Sequence, residues 1–327
     1  MKKILIGLVV LVVLVVAGLA AAPFFIPVET YKDQIAQRVE DATGRQLSID
    51  GDLRLSLLPR FELEANDVAF ANAPGASTPN MATLETLLIQ LQVWPLLSGE
   101  VKVDSFVLVE PVINLEVAEN GTPNWRLAGA APAAEREAPE TGGGAPGGVG
   151  LQQLSLGDVR LERGRVTYRD NVTNQTVEIS DIDMAISLPD LDSPMSAEGS
   201  LVWNGETLEL SLETESLRGL MEGRTTPVRL ALDSAPVTLG YQGQVTNAAP
   251  ARIEGTVELD VPSVRELAAW TGSPIEGGGS GLGPLSIEGK VAASPARVSF
   301  SEASLALDDI KATGQLSADI GGAKPYL

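Results

Sequence analysis

The sequence predicts a mainly β protein: an N-terminal transmembrane helix, a short second helix, and then a long, curled antiparallel β-sheet forming an apolar groove. Three observations predict it. An uncharged run, Ile4 to Ala22, follows Lys2 and Lys3. The hydrophobic period then switches from 3.6 to 2 just after Gly44. That period-2 pattern recurs almost to the last residue.

The first element is the membrane span. Nineteen residues from Ile4 to Ala22, at about 1.5 Å of rise each, cross a hydrocarbon core of about 30 Å, and Phe24 to Ile26 lengthen the reach. Lysines before the run and an acidic chain after it favour an N-in, C-out orientation. A cleaved signal peptide is the competing account. Ala20-Ala21-Ala22 offers small residues for a cut, but Pro23 follows directly and the run is longer than a usual signal core.

The second element is a short helix in which Tyr31, Ile35, Val39 and Ala42 share one face, closed by Gly44. From Gln46, Leu47, Ile49, Leu53, Leu55 and Leu57 alternate with polar residues across a break at Gly51, as paired strands with one apolar face do. Alternation returns at Val101/Val103, Ile182/Met184/Ile186/Leu188, Leu208/Leu210/Leu212, Val257/Leu259/Val261 and Leu305/Leu307. Asn204-Gly205 between two such runs predicts a tight hairpin; Arg163-Gly164 and Asp309 are weaker turn candidates. Gly51, Gly199, Gly255, Gly289 and Gly314 each precede an alternating strand, and each marks a candidate bulge or bend where a long sheet coils. Ser263 and Glu266 have capping-box spacing before Leu267 to Trp270. Thr83 to Leu97 fits neither period, and Pro95 ends or bends whatever precedes it.

Gly129 to Gly150 is almost wholly Gly, Ala, Pro and Glu, a composition that predicts a disordered linker. The expected organisation is therefore residues 1–27 as anchor, 28–128 as helix and first β segment, 129–150 as linker, and 151–327 as second β segment. The chain stops at Lys324-Pro325-Tyr326-Leu327 directly after an alternating strand, which is expected of a piece of a longer protein.

Composition narrows the chemistry. The net charge of −20, from 43 acidic and 23 basic residues, argues against nucleic acid as a partner. With neither histidine nor cysteine, the chain has no imidazole base, no thiol nucleophile, no disulfide and almost no route to a zinc site. No phosphate loop, EF-hand or nucleophile elbow is present. Asp181/Asp183 and Asp190/Asp192 are conceivable paired carboxylates or calcium ligands, but they sit on a polar strand face and around a Pro189 turn, where solvated roles are expected. No cofactor is expected. The apolar face of the sheet needs a cover, and two fit: a second sheet, as in a sandwich, or lipid acyl chains held in a groove.

Several phrases of the chain occur in a familiar order. They are Thr43-Gly44-Arg45, Asp50-Gly51-Asp52-Leu53, Ala71-Asn72-Ala73-Pro74, Trp94-Pro95-Leu96-Leu97, Asn120-Gly121-Thr122-Pro123-Asn124-Trp125, Gly164 to Asp170, Ala268-Ala269-Trp270-Thr271-Gly272 and Gly321 to Leu327. With the membrane helix, they make the chain resemble the AsmA family of Gram-negative inner-membrane proteins. The resemblance implies a single-pass inner-membrane protein with its bulk in the periplasm. It also implies a sheet with an apolar groove linked to phospholipid movement and outer-membrane integrity, and no agreed catalytic residues. Members normally continue past a Lys-Pro-Tyr-Leu phrase.

On this reading the protein is not an enzyme but binds or transfers phospholipid. Leu47, Ile49, Leu53, Leu55 and Leu57 begin the groove floor, and Val101, Val103, Ile182, Met184, Ile186 and Leu188 extend it. Tyr31, Ile35 and Val39 set the helix beside the membrane. The alternative is an anchored scaffold that binds outer-membrane assembly proteins through open strand edges or its acidic surface.

Overall fold

The computed structural model of the chain describes residues 28–56, 61–92, 95, 102–127, 157–276 and 281–319. The expected transmembrane helix and Gly/Ala/Pro linker lie outside the described residues, as do the groove candidates Leu57 and Val101. Among the described residues, no helix is long and apolar enough to cross a membrane. The chain divides into two compact units: residues 1–143 with 166–177, and residues 144–165 with 178–327.

The first unit begins with α1 (Val28–Thr43). Gly44, at φ 71°, ends it, donating its amide to the Glu40 carbonyl at 2.7 Å. Strands β1 (Leu47–Ile49) and β2 (Leu53–Ser56) both pair with β3 (Phe61–Ala71). β3 pairs with β4 (Asn80–Leu91), β4 with β5 (Val103–Val109), and β4 also with β6 (Val112–Val117), all antiparallel. The ambiguous stretch from Thr83 is thus a strand as far as Leu91. Its Thr, Leu and Ile side chains fit a half-buried pleat better than a helix face.

The core of this unit is Leu53, Ala65 and Val68, with Leu47, Ile49, Leu63, Leu84 and Leu87 around it. Tyr31 and Ile35 of α1 pack onto the same cluster. Lys32 Nζ donates to the Gly51 carbonyl at 2.5 Å, tying the helix to the break between β1 and β2.

In the second unit the strands follow chain order in one antiparallel meander. β7 (Gly157–Asp170) and β8 (Gln175–Leu188) place their bodies here and their shared tip in the first unit. Then come β9 (Met195–Trp203), β10 (Glu206–Thr214), β11 (Thr225–Ser234), β12 (Thr238–Thr246), β13 (Arg252–Val261), β14 (Leu285–Ala293), β15 (Arg297–Leu307) and β16 (Ile310–Asp319). The described strands of this unit belong to one hydrogen-bonded sheet. Each strand pairs with its chain neighbour.

Two short helices interrupt the meander. α2 (Leu217–Met221) lies between β10 and β11, and α3 (Val264–Trp270) between β13 and β14. Ser263 caps α3 as its spacing predicts, its hydroxyl accepting from the Glu266 amide at 3.2 Å.

Asn204 (φ 47°) and Gly205 (φ 82°) form the two-residue hairpin turn expected of them, whose backbone twist matches that of the flanking strands. Asp308 and Asp309 turn β15 into β16. Arg163-Gly164 is not a turn. Arg163 stands inside β7 in left-handed backbone, donating its amide to Asp183 Oδ1 at 3.0 Å.

The flagged glycines mark breaks in register at four of five places. Gly51 lies between β1 and β2 against Asp67, and Gly199 beside the β8–β9 shift between Ser180 and Asp183. Gly289 and Gly314 flank the shifts in β14 and β15. Gly255 instead faces Gly243 in unbroken register, with the Tyr241 ring against both.

Candidate functional site

Alternation and register together sort the second unit into two unlike faces. Met184 lies opposite Gly199, Gly199 opposite Leu210, Leu210 opposite Leu232, and Leu232 opposite Leu239. The row continues through Leu259, Ile287, Leu305 and Ala312. A parallel row runs Ile186, Ala197, Leu212, Leu230, Tyr241 and Val257. Bulges keep the rows in phase: Asp181 and Glu302, both at positive φ, absorb one residue each, so that Ile179 and Met184, and Phe300 and Leu305, stay on one face.

Most of these apolar side chains are half-buried. Leu210, Leu212, Leu230, Leu232, Leu239, Val257 and Leu259 all keep part of their surface exposed. Ile182, Leu188, Leu191, Ala197, Leu208 and Val261 are buried. A row of leucines left half-open is unusual unless something covers it.

The opposite face carries Glu198, Ser211, Ala231, Gly240, Glu258, Glu288, Ser304 and Thr313 in one continuous row. Two depressions of ≈ 720 and ≈ 700 Å³ lie on this unit, the second lined by Asp183, Glu198, Glu258 and Asp260 together with Leu210, Leu232 and Leu239. An acyl chain laid on these carboxylates would desolvate them without replacing their water, so the lipid candidate is the half-open leucine row itself.

The sequence-predicted residues fall in both units. Leu53 is buried in the first unit's core, with Leu47 and Ile49 packed on it beneath α1. Leu55 is half-buried opposite Leu63, and Val103 opposite Leu91. Tyr31 and Ile35 face this core and Val39 is half-buried. In the second unit Ile182 and Leu188 are buried, while Met184 and Ile186 are half-buried on the leucine face.

The acidic pairs have local partners. Asp190 accepts from the amides of Asp192 and Ser193 and from the Ser193 hydroxyl, and these bonds hold its carboxyl below the usual range. Asp192 pairs with Arg218 at 3.0 Å, fastening α2 to the β8–β9 turn. Among the described residues no group of three or more acidic side chains is placed to hold a metal ion.

One constellation in the first unit was not foreseen. Glu116, on β6 and 7% exposed, accepts from the Ser77 amide at 2.9 Å, the Ser77 hydroxyl at 2.6 Å and Asn171 Nδ2 at 2.8 Å. Its own amide donates to Asn124 Oδ1 at 2.9 Å. The Asn124 side chain donates to Asn72 Oδ1 and the Asn114 carbonyl, and its backbone carbonyl accepts from Arg45 at 3.1 Å. Arg169 donates to the Ser77 hydroxyl at 2.9 Å. Four of the sequence phrases, those around Arg45, Asn72, Asn124 and Arg169, therefore join one network around Glu116, through its backbone amide and through Ser77. The signal was their clustering of Asn, Gly and Pro, which marks loops but not which loops touch.

Burial by itself pushes the Glu116 carboxyl up. Hydrogen bonds from Ser77 and Asn171 and the nearby Arg169 charge more than reverse that, leaving it below the usual carboxylate range. A depressed folded pKa gives stability that is complete above the unfolded value and lost as pH falls through the folded one. Acid titration followed by hydrogen exchange is expected to release β6 and the Ser77 loop as pH drops below the usual carboxylate range. Glu116→Gln is expected to remove that pH dependence.

The AsmA family model matches residues 1–281 of the chain. A stretch of 115 residues is 30% identical to Protein AsmA of Escherichia coli (strain K12), covering 35% of this chain and 18% of that protein. The matched stretch thus spans less than a fifth of the relative's length. No solved structure matches the chain.

Proposed function

This chain belongs to the AsmA family, and on that premise we propose that it handles phospholipid in the periplasm, supporting outer-membrane assembly and integrity. As a member of this family the protein is non-enzymatic. In the proposed arrangement residues 1–27 anchor it in the inner membrane, residues 28–128 form the membrane-proximal segment, and 129–150 link this to the β segment 151–327. In the second unit Met184 and Ile186, half-buried on the leucine face, line the proposed apolar path.

The observation that supports this reading most is the leucine face of the second unit. It is continuous across nine strands, β8 to β16, from Met184 to Ala312 in register and only half-covered by protein. Each methylene taken out of water there is worth about 0.8 kcal/mol, so a sixteen-carbon tail brings on the order of 10 kcal/mol before ordering costs. The polar face can stay in water while this happens.

The test replaces Met184 and Ile186 together by aspartate. Both are half-buried, so the sheet is expected to survive, with a loss of about 1–3 kcal/mol, while photo-crosslinking to phospholipid falls at least tenfold. A folded double variant that still crosslinks would sink the lipid reading. A stable protein partner with no bound lipid would support the scaffold alternative instead.

A further inference from the structure

The apolar face of the second unit has a strap across one end. α3 and its flanking residues, Ser263 to Thr271, leave the sheet at the end of β13. They return not to β14 but to the tip of the β9–β10 hairpin. There Trp270 meets Trp203 edge to face, ring centroids 4.6 Å apart at 70°. Trp270 Nε1 donates to the Trp203 carbonyl at 3.2 Å, and Asn204 Nδ2 donates to the Trp270 carbonyl at 2.8 Å. Three to four strand spacings, about 14–19 Å, separate these positions in sheet order.

Both feet of the strap stand on the leucine face. Trp203 alternates in phase with Leu201, and Val261 in phase with Leu259. Near the two feet Leu208 and Val261 are 6% and 2% exposed, while Leu201, Leu210, Leu232 and Leu259 are half-open. The far foot is fastened firmly. The Val264 and Arg265 amides donate to the Gly283 and Leu282 carbonyls, and the Leu282 and Gly283 amides donate to the Asp308 carboxylate. The near foot is held by the tryptophan pair and two neutral hydrogen bonds. No residue of α3 is fully buried. An element with one firm end, one light end and no buried side chain is drawn from the low-stability part of a fold.

We propose that Ser263–Thr271 is a releasable closure of the leucine face, latched by Trp203 and Trp270, and that an acyl chain gains and leaves that face by way of this end. The proposal rests on the lipid reading above. When the latch opens, Trp203 and the Leu201–Leu208 pair become the rim over which the chain slides, so apolar contact continues from outside to the floor.

The sequence has no cysteine, so an engineered pair is unambiguous. The full chain carrying Asn204→Cys and Thr271→Cys is reconstituted in detergent and offered phosphatidylethanolamine with a fluorescent sixteen-carbon tail. Expected is uptake in the reduced form, at least tenfold slower uptake after oxidation, and recovery with reductant. Equal rates in both forms would overturn the strap. No uptake even when reduced would overturn the lipid reading and the strap with it, which the reduced form alone reveals. Trp270→Ala provides a second test that does not depend on disulfide formation. Uptake at least threefold faster is expected; an unchanged or slower rate would also overturn the proposal.

Discussion

Replacing Gly199 by alanine is expected to destabilise the second unit by about 3–5 kcal/mol, a loss that approaches the whole stability of many domains. A Cβ at this position would collide with the Asp183 carbonyl oxygen and stand 2.7 Å from the Met184 sulfur and 2.8 Å from the Met184 Cα. The obstruction is mostly backbone, which cannot swing aside as a side-chain tip can. Relief would require β8 and β9 to part where the bulge at Asp181 brings them together. Urea unfolding measures the loss directly. The comparison variant is Gly240→Ala, whose Cβ would meet only the Glu258 Cβ at 3.9 Å and is expected to shift the midpoint little. Equal midpoints for the two variants would mean that β8 and β9 are not held at this separation.

Glu116→Ala is expected to cost the first unit about 3–5 kcal/mol, the scale of breaking a buried charged network by removing one member. The Ser77 amide and hydroxyl and Asn171 Nδ2 would lose their acceptor in a site too enclosed for water to replace it fully. Arg169, which approaches the same carboxylate, would lose its counter-charge. Glu116→Gln keeps an oxygen acceptor but not the charge, and is expected to cost about half as much. Hydrogen exchange should locate the damage. Protection is expected to fall at Ser77, on β6 and at the β7–β8 tip, while β10 to β13 keep theirs. Uniform loss across both units would contradict a local role.

Much of the fold was legible in the residues. Period 2 is imposed by the pleat itself, so Leu208/Leu210/Leu212 and Val257/Leu259/Val261 announced strands and the face each strand would bury. Asn204-Gly205 named its own turn because few other pairs accept left-handed backbone at both positions. Ser263 named the start of α3 because its hydroxyl needs only an amide three residues away. The candidate residues were legible more coarsely. Alternation placed Met184 and Ile186 on one face, but it could not tell an open face from a closed core. Leu53 follows the same rule and lies buried beneath α1.

The sequence by itself therefore determined the family, the mainly β character, the absence of imidazole and thiol chemistry, and the local turns, caps and bulge sites. Each of these is set by residues within a few positions of one another or by composition. Only the tertiary structure decided that the phrases around Arg45, Asn72, Asn124 and Arg169 join one network around Glu116, and that Trp270 packs on Trp203 67 residues earlier. It also decided that the leucine rows of the second unit run through one hydrogen-bonded sheet. Those partnerships depend on strand order and on the one-residue shifts at Asp181 and Glu302. A shift of one residue turns a whole strand over, and a local pattern cannot register the partner against which it is counted.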